Sequence, residues 1–151
     1  MLFLVFQLGE DRFAFNTAQV AEVLPLVGIT EIPHAPDGVA GLLNYHGAPV
    51  PVIDLSALTM GRPAVRRLNT RIVLVHYPDE RGTVRLLGLI AEKASETIRR
   101  DPGDFASSGV ASTGTPYLGP VASDARGLLQ WIDAETLLPT SVRDALFTQE
   151  H

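Results

Sequence analysis

Histidine, serine and aspartate are the residues of this 151-residue chain that could carry out nucleophilic, acid–base or metal chemistry. The histidines show no HxxxH or HExxH spacing, which is the pattern that places two ligands on one side of a helix at a zinc site. The chain also has no Gly-x-Ser-x-Gly elbow, no P-loop and no Gly-x-Gly-x-x-Gly turn. The sequence therefore favours a binding protein over an enzyme, and it predicts no catalytic residue, no metal and no cofactor.

Asp54 and Asp133 occupy comparable places, because each follows an apolar, strand-like segment. A carboxylate there accepts backbone N–H bonds and complements the dipole of a following helix. We expect both aspartates to act as helix caps. The alternative is that the two carboxylates form an acid–base pair. His76 lies in an apolar run and is expected in a sheet, His34 is expected at the surface of a proline-rich loop, and the terminal His151 is expected to be disordered.

The composition narrows the class of partner. The net charge is −5 and aromatic residues make up 7% of the chain, whereas a nucleic-acid binder needs basic and aromatic residues on its surface. Hydrophobic residues make up 46%, which is enough to bury a core, and the absence of cysteine suits a reducing cytoplasm. The apolar N-terminal run lacks a basic start, so we expect a buried first strand and not a signal peptide, and no run is long enough to span a membrane.

The elements that would position these residues are mostly short strands joined by glycine and proline turns, which is typical of a β-barrel or sandwich. The sequence predicts a hairpin around residues 9–11, a helix from Thr17 that ends at Pro25, and a strand over residues 27–32. Residues 60–69 resemble a linker with several basic residues. Further strands are predicted at residues 39–45 and 50–53, at 71–101 around a turn, and at 126–133. A mobile loop is predicted at 102–116 and a terminal helix at 139–148.

A weak internal repeat is also present. Residues 52–58 (VIDLSAL) and 131–137 (WIDAETL) share an Ile-Asp pair with a leucine four residues after the aspartate. Each segment follows a glycine and an apolar strand, and a hairpin lies upstream of each. Chance remains an alternative for so short a match. Two copies of one small β unit would explain the pattern.

Residues 41–58 (GLLNYHGAPVPVIDLSAL) resemble the signature of the CheW-like family, which reads roughly G-[VI]-[IT]-N-L-R-G-x-[VI]-[VI]-P-[VI]-[VI]-D-L. The likeness extends in order through residues 6–24, 28–41, 87–98 and 117–138 and so covers nearly the whole chain. The positions that match the signature are Gly41, Asn44, Gly47, Pro51, Val52, Ile53, Asp54 and Leu55.

The resemblance implies a mainly β fold of two five-stranded SH3-like β-barrels side by side, with a core between them, short helices and a C-terminal helix. It implies one CheW-like domain over residues 1–151, with a first lobe at about residues 1–67, a second at about 68–138 and a helix at about 139–148. This expectation agrees with the internal repeat.

The implied function is that of a non-catalytic adaptor. It would couple the cytoplasmic tips of chemoreceptors to the regulatory domain of a CheA-type histidine kinase, in the cytoplasm and associated with membrane-anchored receptor arrays. Within the family the sequence is most similar to adaptors of the Wsp-type surface-sensing pathway, whose output is a diguanylate cyclase regulator. The alternatives are a CheW-like scaffold of a motility or pilus pathway, or an unrelated β-barrel binding module for a small ligand or an oligonucleotide.

The resemblance also implies a receptor-binding surface in a groove between the barrels, where a receptor helix would dock through apolar anchors. Val20, Val23 and Leu24 would line this groove with Glu22 at its polar rim, and plain core packing is the alternative for the three apolar side chains. We expect Gly41 and Gly47 to serve backbone geometry, which would position the turn from Asn44 to Gly47. The turns at residues 46–49 and 78–82 are candidates for kinase contacts.

One departure from the family affects this surface. The usual motif is Asn-Leu-Arg-Gly, whereas this chain has Asn44, Tyr45, His46 and Gly47. Arginine offers a permanent cation, but histidine is mostly neutral near pH 7 and then offers one donor. We therefore expect the receptor contact to be weaker, different or made elsewhere. A second departure, Ile-Ala-Glu-Lys at residues 90–93, lies in a predicted strand pair and is expected to change little.

Overall fold

The computed structural model describes residues 1–107 and 118–147, and most of this part of the chain is β-strand. Two short α-helices accompany the strands, and short 3-10 turns follow several of them. The strands are β1 (Leu2–Leu8), β2 (Asp11–Asn16), β3 (Val20–Pro25), β4 (Val39–Tyr45), β5 (Ala48–Asp54), β6 (Arg71–Pro78), β7 (Val84–Arg99), β8 (Leu118–Asp124) and β9 (Gly127–Ile132), and the α-helices are α1 (Leu55–Met60) and α2 (Thr140–Arg143).

The strands form two five-stranded SH3-like barrels that share the long strand β7. The first barrel contains β1, β2, β8, β9 and the C-terminal part of β7, and an isolated bridge between Ala106 and Val121 closes it. The second contains β3, β4, β5, β6 and the N-terminal part of β7, and a bridge between Thr30 and Leu42 closes it. The predicted fold class of two packed β-barrels is confirmed.

Both barrels have the same pattern of strand pairing, which confirms the internal repeat. The hairpin β1–β2 corresponds to the hairpin β6–β7. In each hairpin the second strand also makes a parallel pairing, β2 with β9 and β7 with β5. Strand β3 corresponds to the C-terminal part of β7, and the hairpin β4–β5 corresponds to β8–β9. The two repeats are thus residues 2–60 and 71–138, and each ends in an Ile-Asp pair followed by a short helical segment.

Each barrel is nevertheless built from both repeats. The first repeat contributes its hairpin β1–β2 to the barrel that contains β8 and β9, and the second contributes its hairpin β6–β7 to the barrel that contains β4 and β5. The strand pairing therefore divides the chain differently from the expected lobes at residues 1–67 and 68–138. The chain crosses between the barrels twice, so the second barrel is one continuous segment from β3 to the N-terminal part of β7, whereas the first barrel combines the two ends of the chain.

Among the residues that the structure describes, the buried apolar side chains form three clusters. One fills each barrel: Leu43, Val52, Ile72 and Leu74 lie in the second barrel, and Phe3, Val5, Ala14 and Leu129 in the first. The largest cluster lies between the barrels and includes Phe6, Phe15, Ile53, Leu55, Val75, Leu89, Ile132 and Leu137. Because aromatic and branched side chains bury the most apolar area, this shared cluster holds the two barrels in one orientation.

The segment after Thr17 corrects one prediction. Only Thr17–Gln19 is helical, as a 3-10 turn, and residues 20–25 form strand β3 and not a helix. A single helical turn gains little because nucleation is costly, whereas the β-branched valines of β3 complete a ladder with β6 from Val20 to Pro25. A bulge between Val20 and Glu22 bends this strand.

Other boundaries also differ from the predictions. Residues 27–32 do not form a strand, and only Thr30 pairs, through its bridge to Leu42. Helix α2 ends at Arg143 and is followed by a turn, so it is shorter than the predicted helix at 139–148, whose last residue lies outside the described part. Most of the predicted mobile loop at 102–116 and the terminal His151 are also outside it. No helix in residues 1–107 and 118–147 is long and apolar enough to cross a membrane.

Candidate adaptor surface

The turn between β4 and β5 has the geometry of a two-residue hairpin loop. Tyr45 pairs with Ala48, and between them His46 and Gly47 have positive φ angles of 52° and 87°. Positive φ at both central positions is the signature of a type I′ turn, which matches the twist of the flanking strands. The Asn44 side chain caps the turn, since its Oδ1 accepts a hydrogen bond from the Gly47 amide at 2.9 Å. The predicted turn at Asn44–Gly47 is thus present, and it leaves the His46 side chain exposed.

His46 packs against the neighbouring aromatic ring. Its imidazole lies edge-on to the ring of Tyr45, with the ring centroids 4.4 Å apart. Tyr45 in turn packs against the core of the second barrel. The imidazole therefore has a preferred position on the surface, with its polar nitrogens available to a partner.

Tyr45 also connects this turn to strand β3. Its hydroxyl donates a hydrogen bond of 2.5 Å to Oε1 of Glu22. Donation to a carboxylate stabilises the protonated phenol, and partial burial and the charge of Glu22 add to the effect, so the pKa of Tyr45 is raised above its usual value. Glu22 and the β4–β5 turn thus form one continuous polar surface, which we call the turn surface: Glu22, Asn44, Tyr45, His46 and Gly47.

The three apolar residues proposed for the groove point to two different cores. Val20 and Val23 pack against the cluster between the barrels, and Leu24 packs against the core of the second barrel. Val20 and Val23 share a face despite their spacing because the bulge adds one residue between them. All three are half-buried, so they pack as core residues and also reach the surface.

Gly41 is buried and has a positional role. Its φ is 146°, and a Cβ at this position would lie 2.1 Å from the carbonyl oxygen of Thr30. This close approach permits the two backbone hydrogen bonds between Thr30 and Leu42, at 2.8 and 2.9 Å. Gly41 therefore supports the closure of the second barrel beneath the turn surface and presents no side chain to a partner.

The two aspartates of the repeats are helix caps, as predicted. Asp54 Oδ1 accepts a hydrogen bond from the Ala57 amide at 3.1 Å and its Oδ2 accepts one from the Ala64 amide at 3.0 Å. Asp133 Oδ1 accepts hydrogen bonds from the Glu135 amide at 2.9 Å and from Nε2 of Gln19 at 3.1 Å. These hydrogen bonds give both carboxylates a structural role and disfavour the alternative that they form an acid–base pair. Within residues 1–107 and 118–147, no group of three or more His, Asp or Glu residues could hold a metal ion.

Two features of the surface were not predicted. The Glu22–Tyr45 hydrogen bond depends on the antiparallel arrangement of distant strands, and its only signal is the tyrosine that replaces the family's usual leucine. The second feature is a charged network in the first barrel, where Arg12 makes a bidentate pair with Asp124 at 2.8 and 2.9 Å. Arg100 contacts the same carboxylate at 3.2 Å, and these contacts hold the pKa of Asp124 well below its usual value.

Comparisons with known proteins agree with this architecture. The model of the CheW-like domain family matches residues 2–142. The chain is 25% identical over 142 residues to the chemotaxis protein CheW of Klebsiella aerogenes, covering 90% of this chain and 80% of that protein. It is 26% identical over 154 residues to the chemotaxis protein CheW of Rhizobium meliloti, covering 94% of this chain and 90% of that protein.

A solved structure shows the same fold. The crystal structure of the scaffolding protein TtCheW from Thermoanaerobacter tengcongensis matches with a TM-score of 0.79 at 24% identity, covering 93% of this chain and 89% of that one. At this level of identity the likeness establishes the fold alone. The family match extends over both repeats and both barrels, and this chain therefore belongs to the CheW-like domain family.

Proposed function

We propose that this protein is an adaptor that couples the cytoplasmic tips of chemoreceptors to the regulatory domain of a CheA-type histidine kinase. Membership of the CheW-like domain family makes the chain a non-catalytic scaffold of chemotaxis signalling. The observation that carries the proposal is the extent of this match, from residue 2 to residue 142. Because each barrel combines strands of both repeats, a match of this extent requires the complete two-barrel scaffold.

The receptor would bind at the turn surface and the adjacent margin of β3. Glu22, Asn44 and His46 offer polar contacts there, and Val20, Val23 and Leu24 offer half-buried apolar side chains beside them. A receptor helix needs this combination, with apolar anchors at the centre and polar residues at the rim. Gly41 and Gly47 would shape the backbone beneath, without side chains of their own.

The kinase would bind at barrel ends formed by tight turns. One candidate is the β6–β7 turn, where Asp79 accepts hydrogen bonds from the amides of Arg81 and Thr83 at 2.9 and 3.0 Å and from Nε of Arg85 at 3.0 Å. These contacts make the turn rigid, which lowers the entropy lost when a partner binds. The other candidate is the turn at residues 46–49, which the receptor would share.

The finer assignment is to a cytoplasmic array of the Wsp type, attached to membrane-anchored receptors, with a diguanylate cyclase as output. It is supported by the sequence likeness to that subtype. A scaffold for motility or pili is the second candidate. Deletion of the gene separates the two, because a Wsp-type adaptor should alter the cellular level of cyclic diguanylate, whereas a motility scaffold should alter swimming or twitching at an unchanged level.

The adaptor function is tested by calorimetric titration of the purified chain with a receptor-tip fragment and, separately, with the kinase regulatory domain. We expect binding to each, and a ternary complex when all three are mixed. Glu22→Lys should weaken the receptor titration and leave the kinase titration unchanged. Absence of binding to both partners would refute the adaptor function, and equal weakening of both titrations would refute the placement of the receptor site.

A further inference from the structure

The connection between α1 and β6 concentrates positive charge on an acidic protein. This connection, residues 61–70, is called the arginine loop here; it carries Arg62, Arg66 and Arg67, and Arg71 follows at the start of β6. No aspartate or glutamate occurs between Asp54 and Asp79. The whole chain has a net charge of −5, so this cluster of four arginines contrasts with an otherwise acidic sequence.

In the part of the chain that the structure describes, the arginines of the loop form no ion pair with a carboxylate. Within residues 1–107 and 118–147, the ion pairs engage Arg12, Arg85, Arg100 and Arg126. Arg62, Arg66 and Arg67 are all exposed. A guanidinium presents a planar fork of donors that matches a carboxylate in two-point contact, so the loop offers several such sites to a partner.

A large apolar side chain lies among these charges. Leu68 is 99% exposed and Val65 is 47% exposed. A single exposed leucine is common on a protein surface, but this one is held at the tip of a loop between arginines. Leu68 and the arginines together form a mixed apolar and cationic surface.

The loop is anchored at several points, in contrast to the linker that the sequence predicts. Thr70 is buried, and its hydroxyl donates to the carbonyl of Val65 at 2.5 Å while its Oγ1 accepts from the amide of Arg67 at 3.2 Å. The amide of Ala64 donates to Asp54 at 3.0 Å. The carbonyl of Asn69 accepts from the amide of Ala94 at 3.0 Å. A loop held in this way presents Leu68 at little entropic cost on binding.

We propose that the arginine loop is a docking surface for an acidic amphipathic helix of a partner protein. Leu68 would enter the leucine stripe of that helix, and the arginines would pair with glutamates along both sides of the stripe. The apolar part of the loop, Leu68 and Val65, is too small to anchor a membrane, which generally needs a larger apolar face or a lipid chain. The arginine loop shares no residue with the turn surface, and the inference does not rest on the proposed function.

The probe is a short, fluorescently labelled synthetic helix with a leucine stripe flanked by glutamates, titrated with the full chain and followed by anisotropy. A second peptide with glutamine at every glutamate position measures the contribution of charge. We expect the acidic peptide to bind and added salt to weaken it. Replacement of Leu68 by serine, or of Arg66 and Arg67 by glutamate, should each reduce the affinity about tenfold or more.

Matched control variants carry the same kinds of substitution at positions outside the arginine loop. Leu128 is 60% exposed, so Leu128→Ser removes an exposed leucine elsewhere. The double variant Arg99→Glu/Arg143→Glu alters net charge by the same amount as the loop variant, also at exposed positions. Neither control should change the affinity more than about twofold. Melting curves of all variants should coincide, because the replaced side chains are exposed.

Several outcomes would overturn the proposal. These are no binding of the acidic peptide, equal affinity for the glutamine peptide, or equal losses in the loop variants and their controls. Anionic phosphatidylserine vesicles and sedimentation of the chain alone test a membrane and a second copy as the occupant. Loss of vesicle binding or of self-association in the loop variants, with peptide binding intact, would assign the loop to that occupant instead.

Discussion

The hydroxyl of Tyr45 donates a 2.5 Å hydrogen bond to the carboxylate of Glu22 and thereby joins the β4–β5 turn to strand β3. The two residues are 23 positions apart and lie on strands that do not pair with one another. This contact fixes the distance between the polar end of the hairpin and the strand that carries Val20, Val23 and Leu24. The turn surface therefore depends on one side-chain contact that can be removed without touching the backbone.

Titration of the tyrosines tests this contact. The pKa of Tyr45 in the folded protein is raised above its unfolded value, which is near 10.0. The hydrogen bond therefore stabilises the fold at pH values below the unfolded pKa, and this stabilisation is lost as the pH rises through the folded pKa. Tyr45 should therefore ionise at a higher pH than a free tyrosine, as measured by ultraviolet absorbance. Tyr45→Phe should remove this transition and Glu22→Gln should move it to lower pH. A transition that is unchanged by Glu22→Gln would contradict the contact.

His46→Arg tests the departure from the family at the turn. Because His46 is exposed, the substitution should leave the melting temperature nearly unchanged. It should change receptor affinity by at most one charge-assisted hydrogen bond, on the order of 1.5–3 kcal/mol. A receptor matched to an arginine-bearing adaptor should bind more tightly, and this protein's own receptor equally or less tightly. Identical titration curves with both receptor fragments would place the receptor contact away from this turn.

Val20→Asp and Glu22→Lys separate packing from recognition on β3. Val20 is half-buried against the core between the barrels, so an aspartate there should lower the free energy of unfolding by about 1–3 kcal/mol. Glu22 is exposed, and its replacement should leave the melting curve nearly unchanged while it weakens receptor binding. Thermal melts and receptor titrations of both variants measure the difference. A stable Val20→Asp variant would show that this side chain does not pack as the structure has it.

Asp124→Asn tests the charged network of the first barrel. The substitution leaves Arg12, which is 6% exposed, without its ionic partner and should cost about 2–3 kcal/mol of unfolding free energy near neutral pH. Since the folded-state pKa of Asp124 is depressed, its contribution is present above the unfolded pKa near 3.8 and is lost as the pH falls towards the folded value. The wild type should therefore lose stability in acid more steeply than the variant. Parallel acid unfolding curves would show that Asp124 contributes no such linkage.

The local features of this fold were predictable because they depend on short stretches of sequence. The Asp54 and Asp133 caps follow from a carboxylate placed directly before a helical segment, and the turn at His46 and Gly47 follows from residues that tolerate positive φ. The repeat, read from two Ile-Asp pairs, predicted two copies of one small β unit, and the family resemblance implied the two barrels. Family likeness supplied the partners, which no local pattern contains.

The remaining features depend on contacts between distant parts of the chain. A repeat shows that two units are alike, but it does not show which unit's hairpin enters which barrel, and here the hairpins are exchanged. The segment from Val20 to Pro25 has valines and a leucine at spacings that are compatible with either a helix or a strand. It forms a strand because its backbone pairs with β6. The Glu22–Tyr45 hydrogen bond could not be predicted from the sequence for the same reason, because the pairing of distant strands brings the two residues together.

Gly41→Ala compared with Gly47→Ala tests the closure of the second barrel. Both glycines have positive φ, so both substitutions carry a backbone cost of about 1–2 kcal/mol. Only at Gly41 would the new Cβ meet an atom, the Thr30 carbonyl oxygen at 2.1 Å, whereas at Gly47 nothing lies within 4 Å. Gly41→Ala should therefore break the Thr30–Leu42 bridge, destabilise the chain clearly more than Gly47→Ala in denaturant unfolding, and increase amide exchange at Leu42. Equal destabilisation by the two substitutions would show that barrel closure does not depend on the close approach of Thr30 to Gly41.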